Sequence, residues 1–455
     1  MKKMTRTLFL AGCFLGTAVL ANAQQQVATA GSLNSLTPIT VTGYGTASSY
    51  NNDYDKKFKE EDLKSKEVSK EIAVPKGGEI YIENSSRGIV VKTWDQPKVK
   101  VTTTVFYDGE SKLTDEEWLE KVNLSLKTLG SSVKIKSGSP GSSVFYSNSI
   151  NTTTMYGSSG NGGVAVFNGN GQNIGTKGNL KRIVTVTVPV GSKLDIESKY
   201  SDITLPASIG DVTLDISNGN LEADNLNKLV LRSKYSNANI GDVKTAEVEF
   251  NNGRFSAKNI DDLDIDSKYS TIEMAAVKKL VLRSTNDEYE LEDAGDVRGR
   301  KSYGNLRITK LNGSMDVEGT NADVKVRKVG PSLSLIKLDD KYADVRIPLR
   351  ENKNYTVDFA GYYSSVYGNF EKKEVKEEKV TDEKAAGTIK ATTIPGVNNV
   401  IVDGRQVQTF RGALSSYSTS NFNSSTGPSR FTATVGDGKG LKIEMKCQNC
   451  TVDFK

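Results

Sequence analysis

Tyrosines recur at Tyr200, Tyr235, Tyr269, Tyr303 and Tyr342, and Lys199, Lys234, Lys268 and Lys341 stand immediately before four of them. Aromatic faces pack on sugar rings and ammonium groups donate hydrogen bonds to hydroxyls, so such a row is a candidate platform for a linear polysaccharide. Tyr alternating with a small corner residue, each ring shielding the next turn, would give the same pattern with no ligand. Glu247, Glu249, Asp264 and Asp266 form a second group. Oxygen ligands of this kind suit Ca²⁺, and two carboxylates about 5 Å apart would match a retaining glycosidase. Arg232 and Arg283 flank Glu249 and Asp266, whereas Glu247 and Asp264 have Val230 and Val281 as column neighbours, and the arginines favour a ladder of surface ion pairs. Cys447 and Cys450 are the only thiols left after removal of an N-terminal signal, and in an exported chain they are expected to form a disulfide across a turn. Redox and metal-binding roles are the alternatives for that pair.

Histidine is absent from all 455 residues. The commonest general base, the usual triad partner and the favoured zinc ligand are therefore missing together. No organic cofactor is expected, and Ca²⁺ is the one ion the carboxylates suggest.

The elements that must hold these groups follow from a 17-residue grid. Asn218, Tyr235, Asn252, Tyr269, Asn286 and Tyr303 fall on it with alternating type. Apolar columns share the period, at Val212, Leu229, Ala246, Leu263, Leu280 and Val297, and two residues on at Leu214, Leu231, Val248, Ile265 and Leu282. Spacing by two marks a strand. A turn follows, then a second alternating pair such as Leu221/Ala223 or Phe255/Ala257, then one closing apolar residue such as Leu226 or Val243. So few inward side chains per coil give a core too thin to stand alone, so the copies must stack. The predicted fold is all-β, a parallel right-handed β-solenoid of about 17-residue coils with one short α-helix near the N-terminus. Gly299, in an inner column, has no explanation at this level.

Lys2, Lys3 and Arg6, an apolar run from Leu8 to Leu20, and Ala21-Asn22-Ala23 make a secretory signal cleaved after Ala23. Leu10-Ala11-Gly12-Cys13 offers the competing reading of a lipoprotein signal. No other stretch is long and apolar enough for a membrane span. Without the signal, 57 basic residues face 55 acidic ones, so no electrostatic case exists for nucleic acid.

The boundaries expected are a signal peptide at 1–23, a polar arm at 24–76, opening coils at 77–136 with a helix at 114–129, and a Ser/Gly/Asn-rich loop at 137–180. Repeats at 181–370, a charged and polar insertion at 371–430 and a closing coil at 431–455 complete the chain. Thr114 with Glu117 predicts a capping box, and Trp118, Val122, Leu126 and Leu129 the buried stripe of the helix.

The order of these pieces resembles a bacterial family of exported β-strand-repeat proteins related to adhesin head domains. The resemblance rests on Gly88-Ile89 with Trp94-Asp95, the strand Val184 to Val188 with Pro189 and Gly191, the repeated Ser-x-Tyr-Ser and Ser-Asn-Gly turns, and Gly436-Asp437-Gly438 before the final strand. It covers roughly 77–455 and departs at Cys447-Gln448-Asn449-Cys450, where Ser-Asn-Gly is expected. It implies an exported role in the periplasm, on the outer surface or outside the cell, with adhesive binding and no catalytic residues. A polysaccharide or an envelope protein is the expected partner. A carbohydrate-active β-helix enzyme and a periplasmic scaffold are the competing functions.

Overall fold

A computed structural model describes residues 63–75, 77–138, 164–177, 182–375, 399–402, 405–408 and 429–455, which belong to one compact unit, Asp53–Lys455. The signal, the candidate lipidation site and most of the polar arm lie outside the described residues. Among the described residues the structure is mostly β-strand with one helix, and 24 strands join in one sheet.

The predicted register is met in the middle of the chain. Leu194–Lys199 pairs in parallel with Val212–Ser217, that strand with Leu229–Lys234, and that one with Ala246–Asn251. The second strands follow suit, Ile203 beside Leu221, Leu221 beside Ala238, and Ala238 beside Phe255. Val297 pairs with Met315 and Met315 with Ile336, the longer steps that the insertions there demand. Inward columns such as Leu214, Leu231, Ile265 and Leu282 are buried, and outward positions alternate with them. Each buried aliphatic side chain contributes about 1.5–3 kcal/mol.

Between the two strands of a coil the backbone turns through a left-handed residue. Ser86, Tyr200, Asn218, Tyr235, Asn252, Tyr269, Asn286, Tyr303, Asn321, Tyr342, Tyr363 and Asn449 all have φ between 51° and 63°. Gly299 also finds its reason here. Its φ is 134°, and a Cβ at that position would strike the Leu282 carbonyl, so only glycine fits.

The N-terminal end departs from expectation in three places. The capping box forms, with Thr114 Oγ1 accepting from the Glu117 amide at 3.3 Å and Glu117 Oε2 accepting from the Thr114 amide at 2.7 Å. The helix nevertheless spans only Asp115–Lys121, not 114–129. Asn123 takes φ 55°, and Leu124–Leu129 becomes a strand antiparallel to Ser132–Ser137, because Leu124 and Leu126 are both buried by alternation whereas Leu129 stays exposed. Trp118 is wholly buried against Tyr107 and Phe167. The tail of the expected arm is likewise a strand. Lys64–Ala73 lies antiparallel to Lys98–Asp108, buries Val68, and pairs Lys66 with Asp115 at 2.8 Å and Lys70 with Glu116 at 2.9 Å. Within the expected loop 137–180, Val164–Asn168 and Asn173–Lys177 form a hairpin.

The C-terminal end is a larger correction. The final segment does not lie on the outside of the stack as a closing coil. Leu441–Gln448 lies between Leu335–Lys341 and Tyr355–Tyr362, parallel to both, and Thr451–Asp453 lies between Asp344–Arg346 and Ser365–Tyr367. The outer position is taken by Ser429–Val435, antiparallel to Tyr355–Tyr362 and followed by Lys373–Glu374. The expected insertion 371–430 thus supplies strands, including a hairpin of Asn399–Val402 with Arg405–Gln408. Antiparallel strands flank the outermost parallel strand at each end, where an exposed parallel edge would invite further stacking.

Candidate functional site

The corner residues form a continuous ladder. The amide of Tyr200 donates to the Ser217 carbonyl at 2.9 Å and that of Asn218 to the Lys234 carbonyl at 3.0 Å. The same bonds cross the inserted strand, from Tyr342 to the Gln448 carbonyl at 2.8 Å and from Asn449 to the Tyr362 carbonyl at 2.9 Å. In space the order is therefore Tyr342, Asn449, Tyr363, and the Tyr/Asn alternation runs on without a break. All the predicted tyrosines lie on this one edge, and Tyr363 joins them. Their side chains are 50 to 65% exposed. Lys199, Lys234, Lys268 and Lys341 are exposed beside them, with Lys199 bound to Glu197 at 2.7 Å.

Tyr363 was missed because its coil lies off the 17-residue grid. The signal was present in Tyr363-Ser364, the Tyr-Ser pair of the corners at Tyr200, Tyr235 and Tyr269. A bulky side chain at positive φ is strained by about 1–2 kcal/mol, whereas Asn adopts that region routinely. Tyr235→Asn is therefore expected to keep the corner and raise stability by about 0.5–1 kcal/mol in urea denaturation. A loss of more than that amount would mean that the ring serves mainly to cover its neighbouring turn.

Inside the corner runs a polar column. The residue after the turn donates to the carbonyl before it, as Ser236 does to Lys234 and Ser270 to Lys268, each at 2.8 Å. Ser198 and Ser201 share a bond of 2.5 Å beneath Asn84, whose amide reaches both. Cys450 occupies this serine position, with its thiol on the Gln448 carbonyl at 3.7 Å and the Asp340 carbonyl at 3.5 Å. The expected disulfide is not formed. Cys447 and Cys450 are free, buried thiols, because each plays the part of a corner serine. The hydrogen bond to Cys450, followed by burial, holds the Cys447 thiol far above its usual range. Burial also raises the neighbouring Asp340 carboxyl to about 7, and its Oδ2 has no partner, facing Gly319, where any side chain would collide with it.

The same column carries one charged knot. Lys301 is wholly buried, and its Nζ donates to the Asp287 carbonyl at 2.7 Å and to Ser284 Oγ and the Tyr303 carbonyl at 3.2 Å, above the Tyr289 ring. Burial lowers its pKa from 10.5 to about 8, while that of wholly buried Tyr289 is raised by burial. Between those two lysine values the unfolded chain holds more protons than the folded one, so stability rises with pH across the window. Relative to Lys301→Met, unfolding free energy is expected to increase by about 2 kcal/mol from pH 7.5 to 10, the difference that cancels the opposing titrations of Cys447 and Tyr289. An unchanged profile in that variant would show that the ammonium is not the titrating group.

The carboxylate group does not assemble as a cation site. Arg283 binds Asp264 and reaches Asp266 at 3.9 Å, and Arg232 reaches Glu249 at 3.9 Å, leaving Glu247 on the open surface. Among the described residues no three His, Cys, Asp or Glu side chains are placed to hold a metal ion. The ladder continues with Arg300 to Glu318 at 2.8 Å and Lys337 to Asp316 at 3.1 Å, exposed pairs each worth about 0.2–1 kcal/mol.

What these features define is an all-β protein in which the predicted tyrosines and the lysines before four of them stand along one edge. No family model matches the chain, and no curated protein matches it. Two solved structures are similar to it. One is provisionally described as a cell adhesion protein, from Clostridium sporogenes, with 11% identity and a TM-score of 0.16 over 86% of this chain and 99% of the other. A second, provisionally described as an adhesin, is from Parabacteroides merdae, with 10% identity and a TM-score of 0.25 over 60% and 96%. At these scores the likeness carries no argument. Among the described residues no helix is long and apolar enough to cross a membrane.

Proposed function

We propose that this chain is a right-handed parallel β-solenoid that serves as a non-catalytic, adhesin-like binding protein of the cell envelope or surface, exported by the signal at 1–23. In-register parallel pairing at repeat intervals supports the solenoid, and parallel crossovers are right-handed in about 98% of cases. The observation that carries the binding role is the row of exposed tyrosines at left-handed corners. Strain of this kind persists where surrounding structure over-determines it, and it concentrates at functional sites. A polysaccharide is the partner such an edge suits, Ca²⁺ being no part of the reading.

The test incubates the purified mature chain with a panel of polysaccharides, with and without Ca²⁺, and scores both retention on the polymer and shortening of it. Retention without shortening is the expected result. Shortening that disappears on replacing Glu247 or Asp264 would make the protein a carbohydrate-active enzyme, and capture of an envelope protein with no polymer bound would make it a scaffold.

A further inference from the structure

We propose that the corner row binds an acidic linear glycan carrying one carboxylate per disaccharide, in register along six subsites from Tyr200 to Tyr363. This inference rests on the reading that the corner edge is the binding face. Strands stack about 4.7–4.9 Å apart, so tyrosines on alternate coils lie roughly 9–10 Å apart, a spacing of disaccharide order. Six of them extend over roughly 45–50 Å of edge.

Positive charge shares this period. The residue before the corner is Lys199, Lys234, Lys268 or Lys341 on tyrosine coils, whereas asparagine coils carry Ser217, Asn251, Thr285, Thr320 and Gln448 there. Ring and ammonium thus stand together on four of the six tyrosine coils and on none of the asparagine coils, and an uncharged glycan would leave the lysine half of the pattern unused. The Tyr303 and Tyr363 coils have Ser302 and Tyr362 instead, and Lys199 is held by Glu197, so the strongest subsites are those of Tyr235, Tyr269 and Tyr342.

The inserted strand shows that the spacing is not merely the residue of a tandem repeat. Asn449 comes from the far end of the chain, yet it lies between Tyr342 and Tyr363 and sets them two coils apart. Were Tyr355–Tyr362 to pair directly with Leu335–Lys341, the two tyrosines would be adjacent and the period would be lost.

The experiment measures binding of the full mature chain to hyaluronan and chondroitin oligosaccharides of increasing length, with chitin oligosaccharides of equal ring number as the neutral comparison. Affinity for the acidic series is expected to grow with length up to about twelve rings and to fall with added salt. Tyr235→Asn with Tyr269→Asn, which retains a corner residue native to the neighbouring coils, should weaken binding at least tenfold at an unchanged or raised urea midpoint. Lys234→Gln with Lys268→Gln should do the same for the acidic series alone, and Tyr363→Asn should shorten the length dependence. Equal binding of chitin and acidic oligosaccharides, or indifference to the lysine pair, would overturn the acidic assignment and leave the binding reading standing. Failure of the folded chain to bind any glycan would overturn both.

Discussion

A chain ended after Gly440 loses its C-terminal coils. The missing segment buries Leu441, Ile443, Met445, Val452 and Phe454, and at about 1.5–3 kcal/mol for each side chain its removal forfeits roughly 10 kcal/mol. That is as much as a whole domain of ordinary stability possesses. The segment is also paired on both sides, so its loss bares the edges of Leu335–Lys341 and Tyr355–Tyr362 at once. Unpaired parallel edges pair with other chains, and the truncated protein is expected to aggregate. Urea denaturation followed by fluorescence, together with sedimentation, distinguishes the outcomes. A truncated chain that stays monomeric and keeps its midpoint would mean that the outer strands close the gap unaided. The milder Ile443→Ala, a cavity between Ile336 and Val357, should cost about 2–4 kcal/mol.

The second large effect is expected at Asp287, in the turn after Asn286. Its Oδ2 accepts from Ser267 at 2.8 Å, Ser284 at 2.7 Å and the Thr285 amide at 3.0 Å, and its Oδ1 from the Ser270 amide at 2.7 Å. Its charge also favours the ammonium form of Lys301 against burial. Asp287→Ala leaves those four donors without their acceptor and removes the nearby negative charge from the buried ammonium, whose bond to the residue 287 carbonyl remains, a loss of about 3–5 kcal/mol. Asp287→Asn, which keeps the shape and part of the hydrogen bonding, should lose less. Equal losses for the two variants would assign the stabilisation to packing instead of charge, and a loss below about 1 kcal/mol for Ala would show that water replaces the carboxylate.

The differing fates of the expectations have physical causes. The 17-residue grid was legible because each inward column needs an apolar residue at every repeat and each corner carries Asn or Tyr in alternation. Both features are local and repeat, so they appear as columns in one dimension. The helix boundary was misjudged because a helical stripe and a strand alternation share Leu126, and only the pairing of Leu124–Leu129 with Ser132–Ser137 decides between them. Lys64–Ala73 reads as a solvated arm by composition. Its strand depends on a partner edge and on the acids Asp115 and Glu116, neither of which is local to it.

The cysteines illustrate the limit of chemical type as a guide. Two thiols three residues apart in an exported chain suggest a disulfide, but their place in the serine column of the corner supplies hydrogen bonds to both as thiols. The carboxylates were resolved in the opposite sense, since the arginines that argued for a surface ladder are the groups that occupy Asp264, Asp266 and Glu249.

The sequence by itself determined the all-β class, the 17-residue repeat interval and the edge on which the tyrosines and lysines stand, because each follows from periodicity within one stretch of chain. Only the tertiary structure decided that the last strand enters between two earlier coils, that Asn449 keeps Tyr342 and Tyr363 in step, and that Lys301 and Asp287 meet in the core. Those facts join residues far apart in the chain, and no local pattern encodes which edge a distant strand will fill when every edge offers the same backbone hydrogen bonds.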